Sequence, residues 1–426
     1  MRIQNPTVSA QRKMMLALLV VTPAVKAQLV ISPPPPVFPV VENSRSNGGN
    51  IISTSVAGLQ SAFLKTGPLA KWGPVNVRSS ITYRLLYSDG LLNPEQLESN
   101  ESTIQSIAAG VSFEIGKHWN ADYTMTKTIY SNELFKDTLD HGLSLSGHIE
   151  GDAWGLGITQ TYTSNSPILV ETGGQSHQTS YSTMVSGSYE LGYRTLVDLS
   201  VTRSSRVANS NIENPQWTDA DWYSWIVSSG VNYRITQRLQ AGAGISMTFD
   251  RLSTGSDMVS TQPHLQMTWR PTSKIAMSGQ VGAETRKFEE GTVDNLENPV
   301  YSASISYLPL EVTSLSLAAS QSVTASYFAN QASKNTSISL NLSQRFLQRV
   351  YLSLGASRGT TTYIATSTSF VAGRSDRFTS YNSRLSTVIF RRGSVAFFID
   401  TSRNNTNTSE FGYSSRQYGM ELAYRF

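Results

Sequence analysis

The stretch YGMELAYRF, Tyr418–Phe426, ends the chain. Tyr418, Met420, Leu422, Tyr424 and Phe426 fall on one side of a two-residue repeat; Gly419, Glu421, Ala423 and Arg425 fall on the other. That is the period of a β-strand with one apolar face. Ends of soluble domains usually fray into polar residues. Here an aromatic side chain stands last, still in the apolar phase, which predicts a strand whose final residue is needed.

The same alternation fills the chain upstream from Val75. VNVRSSITYRLLY places Val75, Val77, Ile81, Tyr83, Leu85 and Tyr87 on one face; ADYTMTKTIY groups Ala121, Tyr123, Met125 and Ile129. LQAGAGISMTF alternates Leu239, Ala241, Ala243, Ile245, Met247 and Phe249 with small polar residues, and NTSISLNLSQRF does so with Ile338, Leu340, Leu342 and Phe346. The connections alternate between short and long. Tight turns at Gly116–Asn120, Glu150–Asp152, Leu191–Arg194, Thr236–Gln237, Pro271–Lys274, Leu308–Val312, Leu347–Arg349 and Arg391–Gly393 take turns with longer polar loops such as Ser88–Glu101, Val207–Asp221 and Lys287–Asn298. Counting segments predicts an all-β, antiparallel, up-and-down transmembrane barrel of about 18 strands, with short periplasmic turns and longer outer loops.

Composition separates this reading from a soluble sandwich or propeller. Charged residues are 15% of the chain against 39% hydrophobic, and the polar phase of the strands is mostly Ser, Thr, Gly, Asn and Gln. A solvated sheet face normally carries more Lys, Glu and Arg, whereas small polar residues suit an enclosed wet lumen. The apolar phase places Tyr87, Trp119, Tyr130, Trp154, Tyr162, Tyr189, Tyr233, Phe249, Trp269, Tyr307 and Phe346 near strand ends, as in the aromatic girdles of membrane interfaces. The net charge of +4 gives no reason to expect nucleic acid as a partner. With no cysteine, disulfides, thiolate metal sites and a lipidated N-terminal Cys are excluded.

The N-terminal sixth divides differently. Arg2, Arg12 and Lys13 precede the short apolar run Met14–Val21, and AVKA (Ala24–Ala27) supplies small residues for cleavage. Residues 1–27 thus have the layout of a signal peptide. Residues 28–50 read as linker, stiff where four prolines adjoin (Pro33–Pro36) and flexible in NSRSNGGN. Residues 51–72 form a short periplasmic or inner-mouth segment, for which a helical face of Ile52, Val56, Leu59 and Phe63 is the preferred pattern. The barrel occupies 73–426. About 50 residues before it are too few for the plug of a TonB-type transporter.

Tyr418–Phe426 resembles the C-terminal signature of bacterial outer-membrane β-barrel proteins, in which a terminal Phe follows alternate apolar residues. Tyr418, Met420, Leu422, Tyr424 and Phe426 match it position by position. The resemblance implies that the last strand closes the barrel against the first and is read by the outer-membrane barrel assembly machinery. More loosely, residues 73–426, with stretches such as Met267–Phe288, resemble the beta-barrel porin family 2. That resemblance implies an outer-membrane conduit tied to exopolysaccharide export, with periplasmic polysaccharide-export components as partners beside membrane lipid and lipopolysaccharide. It brings no catalytic residue.

Chemistry-bearing constellations are sparse. Of the five histidines, His118 lies in a tight turn, His141 is in an apolar phase, His177 borders a loop, and His148 and His264 share the lumen phase. None sits in a recognisable triad, so no enzyme is expected; an outer-membrane phospholipase is the enzymatic alternative to test. GAGIS (Gly242–Ser246) lacks the following helix that a phosphate loop requires, and its glycines read as making room. The acidic residues Asp89, Glu95, Glu98 and Glu101 suit a solvated loop better than a cation site. No cofactor or metal is expected.

What remains is a conduit. Ser144, Ser146, Gly155, Gly157, Ser186, Ser188, Gly242, Gly244, Ser304, Ser306, Ser316, Ser320, Ser339 and Ser353 leave lumen space without a strong field. Arg234, Arg238, Arg270, Arg345, Arg349 and Arg425, with other basic residues near the periplasmic ends, would ring the inner mouth and mildly favour anions. A closed structural or adhesive barrel is the alternative.

Overall fold

The computed structural model describes residues 70–89, 101–132, 135–169, 174–210, 221–289, 295–326, 331–347, 349–366, 373–390, 392–408 and 411–426. The signal peptide, the linker and residues 51–69 lie outside the described residues. So do Glu95 and Glu98.

Alternation becomes strand wherever it was read. The elements are β1 (Ala70–Trp72), β2 (Val75–Asp89), β3 (Ser102–Ile115), β4 (Trp119–Tyr130), β5 (Thr138–Glu150), β6 (Trp154–Asn165) and β7 (Ile168–Leu169). Then come β8 (Gly174–Leu191), β9 (Thr195–Ser210), β10 (Trp222–Arg234), β11 (Leu239–Leu252), β12 (Met258–Thr272), β13 (Ile275–Phe288) and β14 (Leu296–Leu310). The last are β15 (Thr313–Ala325), β16 (Gln331–Phe346), β17 (Val350–Ala365), β18 (Ser375–Ile389), β19 (Gly393–Thr406) and β20 (Tyr413–Arg425). The fragments β1 and β7 each pair with one neighbour; the other 18 strands form a single antiparallel ladder that closes on itself.

Closure is made by β20 on β2, from Ser80↔Arg425 to Asp89↔Arg416. The Phe426 amide adds a bond to the Ser79 carbonyl at 3.0 Å. In hydrocarbon each unpaired backbone group costs several kcal/mol, so only a closed barrel is stable there. Past Phe426 the same edge of β2 is taken by β1, with Ala70↔Val77 and Trp72↔Val75. Gly73, at φ +56, makes the turn between them. Ala70–Trp72 is therefore a strand and not the end of a helix: a free backbone edge on β2 outweighs a weak helical period.

The two faces sort as the pattern requires. Leu265, Val281, Phe397 and Ile399 point outward and are 56–62% exposed; a band of such residues around the whole barrel is a lipid-facing surface. Inward side chains such as Ser80, Thr82, Ser228, Gln280 and Ser316 are buried. At the seam, Tyr418 packs on Tyr87 with centroids 5.2 Å apart, and Met420, Leu422 and Tyr424 stand opposite Leu85, Tyr83 and Ile81.

Two further expectations change. Tyr130 belongs to the lumen face, packed on Phe135, and not to the outer girdle. It follows the outward Ile129 and so has the opposite parity; an aromatic near a strand end was the wrong guide. The strands also run to 12–18 residues, because ends read as loop, such as Val207–Ser210 and Leu296–Asn298, are already paired.

Candidate functional site

The candidate site is the lumen, and its wall changes character along its length. One stretch is made of facing hydroxyls. Ser182 and Ser204, Ser228 and Ser246, Ser278 and Ser304, Ser320 and Ser337, and Ser357 and Ser380 are cross-strand partners with Oγ–Oγ distances of 2.6–3.0 Å. Each pair satisfies itself and still presents donors and acceptors to the lumen. The GAGIS glycines fit this wall: a Cβ on Gly244 would lie 2.7 Å from His264 Nε2 and from the Ser229 carbonyl. They make room for neighbouring side chains in the lumen.

Towards the outer end the lumen is narrowed from three directions. On one side Leu86, Ile104 and Phe398 of the inner wall meet Phe135 and Ile168, carried in by the β4–β5 and β6–β8 connections. Gln175 ties those two connections together. Its Oε1 accepts from the Lys136 amide at 3.0 Å, and its Nε2 donates to the Lys136 carbonyl at 2.9 Å and to the Ser166 carbonyl at 3.4 Å. Beside this apolar cluster, Arg84 lies over the Phe398 ring at 4.1 Å and 3.8 Å from Asp400, while Arg384 pairs with Glu421 at 2.6 Å.

On the opposite wall the tip of the β15–β16 hairpin parts from β14 and turns inward, while β16 stays paired with β17 as far as Gln331↔Ala365. The β14–β15 ladder stops at Tyr301↔Gln321, whereas β15 and β16 stay paired to Ala325↔Ala332. Val323 and Ala332 have outward parity, yet they are 7% and 0% exposed, against 38% and 49% for Leu317 and Ile338 lower on the same strands. Arg206 of β9 donates to the Ser326 carbonyl at 3.2 Å, although five strands separate β9 from β15 around the wall. That bond can only cross the lumen. Arg286 donates to the Val323 carbonyl at 3.0 Å and is held by Glu284 at 2.6 Å and Asp250 at 3.8 Å. These two arginines latch the hairpin by its backbone.

The third direction is the β19–β20 connection. Arg374 stacks on Phe411 at 3.6 Å and Tyr363 at 4.7 Å and pairs with Asp376 at 2.6 Å. Asn404 holds the Phe411 carbonyl at 2.9 Å.

The periplasmic end is built from turn-to-turn bonds. Arg234 donates to the Tyr193 carbonyl at 3.4 Å, Arg238 to Pro271 at 2.9 Å, and Lys274 to Pro309 at 2.8 Å. Arg425 shares the lumen parity of Glu421 and stands opposite Ser80, and Arg345 stands opposite Tyr351 on the inner wall. Arg270 and Arg349 are exposed at the same rim. The structure thus puts the mouth residues at one end, but engages Arg234 and Arg238 in bracing neighbouring turns. The outer latch arginines Arg206 and Arg286 escaped the sequence reading, because a bond to a carbonyl a third of the way around a barrel leaves no local pattern. A Ser166 Oγ to His177 Nδ1 contact of 2.9 Å lies at the outer rim, with Asp140 accepting from the Ser166 backbone amide at 3.2 Å.

A closed 18-strand barrel with an apolar outer band and a polar lumen is a transmembrane β-barrel of the bacterial outer membrane. No family model and no curated protein matches the chain. Among solved structures, Pseudomonas aeruginosa OccK11 (OpdR) is similar at 13% identity and TM-score 0.41, covering 82% of this chain and 96% of its own. Pseudomonas aeruginosa OccK2 (OpdF) is similar at 14% and 0.45, covering 82% and 98%, and Acinetobacter baumannii OccAB4 at 10% and 0.42, covering 82% and 98%. These are loose likenesses; the class rests on the closed ladder and the two faces.

Proposed function

We propose that the protein is a passive outer-membrane channel for small hydrophilic solutes, narrowed at its outer end. The observation that carries this is the hydroxyl wall. Paired serines, with glycines between them, give a solute hydrogen-bonding partners without the strong field that would trap it, which suits permeation. Eighteen strands enclose an aqueous lumen unless something fills it, and the described lining narrows one end.

Three finer readings attach to this one. A mild anion preference would come from Arg425, Arg345, Arg270 and Arg349 at the inner mouth; bracing by Arg234 and Arg238 reduces their share. Export of a surface polysaccharide, with periplasmic export components as partners, would require the β15–β16 tip to swing aside. Tyr418–Phe426 would act as the signal to the assembly machinery. A closed structural or adhesive barrel is the competing reading, favoured by the apolar cluster around Leu86 and Phe135. Planar-bilayer recording of the purified barrel separates them. Discrete steps with weak anion preference support the channel, and a silent barrel supports the closed reading. A lipid-release assay with Ser166→Ala covers the phospholipase alternative: loss of release in the variant would favour it over a channel alone.

A further inference from the structure

We propose that His118 and His148 form a two-histidine site for a borderline transition dication, of the Zn2+ or Cu2+ type, at the periplasmic mouth of the lumen. Register builds the pair. The β4–β5 ladder ends at Trp119↔Gly147, so the next residues, His118 and His148, stand opposite each other. The His148 amide donates to the His118 carbonyl at 3.1 Å, which fixes the two backbones. His148 shares the lumen parity of Ser144 and Ser146; His118 is exposed and His148 half-buried.

The distance between the rings points to a metal. His118 Nδ1 lies 3.4 Å from His148 Nε2, with ring centroids 5.0 Å apart and planes at 72°. That separation is long for an N–H···N bond. It is close to the spacing of two ligands on a tetrahedral ion, since Zn–N bonds of about 2.0–2.1 Å at a tetrahedral angle put the nitrogens about 3.3 Å apart. Little movement is needed to admit the ion. Imidazole donors select Zn, Cu and Ni over Mg and Ca. Two protein ligands leave the remaining positions to water, so binding is weaker than at a closed four-ligand site.

The surroundings are mixed. Lys117 adjoins His118 and opposes a cation, Glu150 lies two residues beyond His148, and Glu114 on the neighbouring strand is paired with Arg78 at 2.6 Å. The other three histidines are placed differently. His141 meets the Tyr123 hydroxyl and His177 the Ser166 hydroxyl, each at 2.9 Å, while His264 Nδ1 is 3.3 Å from the Gln262 carbonyl. They are internal controls.

The test is Cu2+ titration of the detergent-solubilised barrel, with nitrogen coupling read by electron paramagnetic resonance and Zn2+ used as competitor. One ion coupled to two imidazole nitrogens and displaced by Zn2+ is expected. His118→Ala and His148→Ala should each lower affinity at least about tenfold, a loss seen already for outer ligand partners, and remove one nitrogen. His177→Ala and His264→Ala should change neither. Each variant is checked for heat-modifiable mobility; if an alanine variant fails to assemble, His118→Gln or His148→Gln takes its place with the same expectation. No binding by the folded wild type, or unchanged binding in both His118 and His148 variants, overturns the site. Because binding is read without current, failure here leaves the channel reading standing.

Discussion

The two ends of this barrel keep order by opposite means. At the periplasmic end, short turns brace one another sideways: Arg238 and Lys274 each reach the carbonyl of the next turn along the rim. At the outer end, longer connections fold inward: Arg206 holds the β15–β16 tip across the lumen, Arg286 holds it from two strands along the wall, and Gln175 ties two neighbouring loops together. Rim bonds keep a mouth open, whereas transverse bonds narrow it. The difference follows from connection length, because a turn of two to four residues cannot reach the lumen axis.

The largest expected effect lies at neither mouth but at the seam joining them. Deleting Phe426 removes the backbone bond to Ser79 and a lipid-facing ring where β20 meets β2, and replacing it with Asp keeps that bond but puts a charge where the ring stood. Folded barrel in the membrane fraction, read by heat-modifiable gel mobility, is expected to fall severely, while a charged change within residues 90–100 is tolerated. Normal yield after deletion would remove the closing-strand argument.

The comparison itself breaks or holds on the latch. Arg286→Ala leaves Glu284 and Asp250 buried without their cation, a loss of about 3–5 kcal/mol for a buried pair, and frees the Val323 carbonyl. Melting should drop by several degrees and unitary conductance should rise, more so with Arg206→Ala added. At the other end, Arg238→Ala with Lys274→Ala should leave unitary conductance nearly unchanged. If both pairs act alike, the contrast between the ends is wrong.

A smaller effect is expected in the wall between. Gly244→Val forces a side chain against His264 and the Ser229 carbonyl, at about 1–3 kcal/mol for overpacking. A lowered melting temperature in an assembled barrel is the expected result. The smallest effect is a gain. Leu347 and Phe390 hold φ of +46 and +53 in periplasmic turns with 91% of their surface exposed. Leu347→Gly relieves about 1 kcal/mol of left-handed strain and should raise unfolding resistance slightly. A clear loss would mean that the side chain anchors the rim in the headgroup layer.

Alternation in Val75–Tyr87 and Tyr418–Phe426, the short–long rhythm of the connections and the small polar phase were enough to determine the barrel, the order of its strands and which face meets lipid. Those features are local: a two-residue period fixes a side chain's face wherever the strand sits. Tertiary structure alone decided what narrows the lumen. Arg206 and Arg286 look like isolated charges in sequence, and Val323 and Ala332 look like lipid-facing residues, until the hairpin bends inward and covers them. Tyr130 was misplaced for a related reason, since a ring near a strand end suits a girdle or a loop packing partner equally well until Phe135 is seen against it. His118 and His148, 30 residues apart, meet only because the β4–β5 register sets them opposite. Register and loop direction depend on contacts between distant segments, and no period along the chain records them.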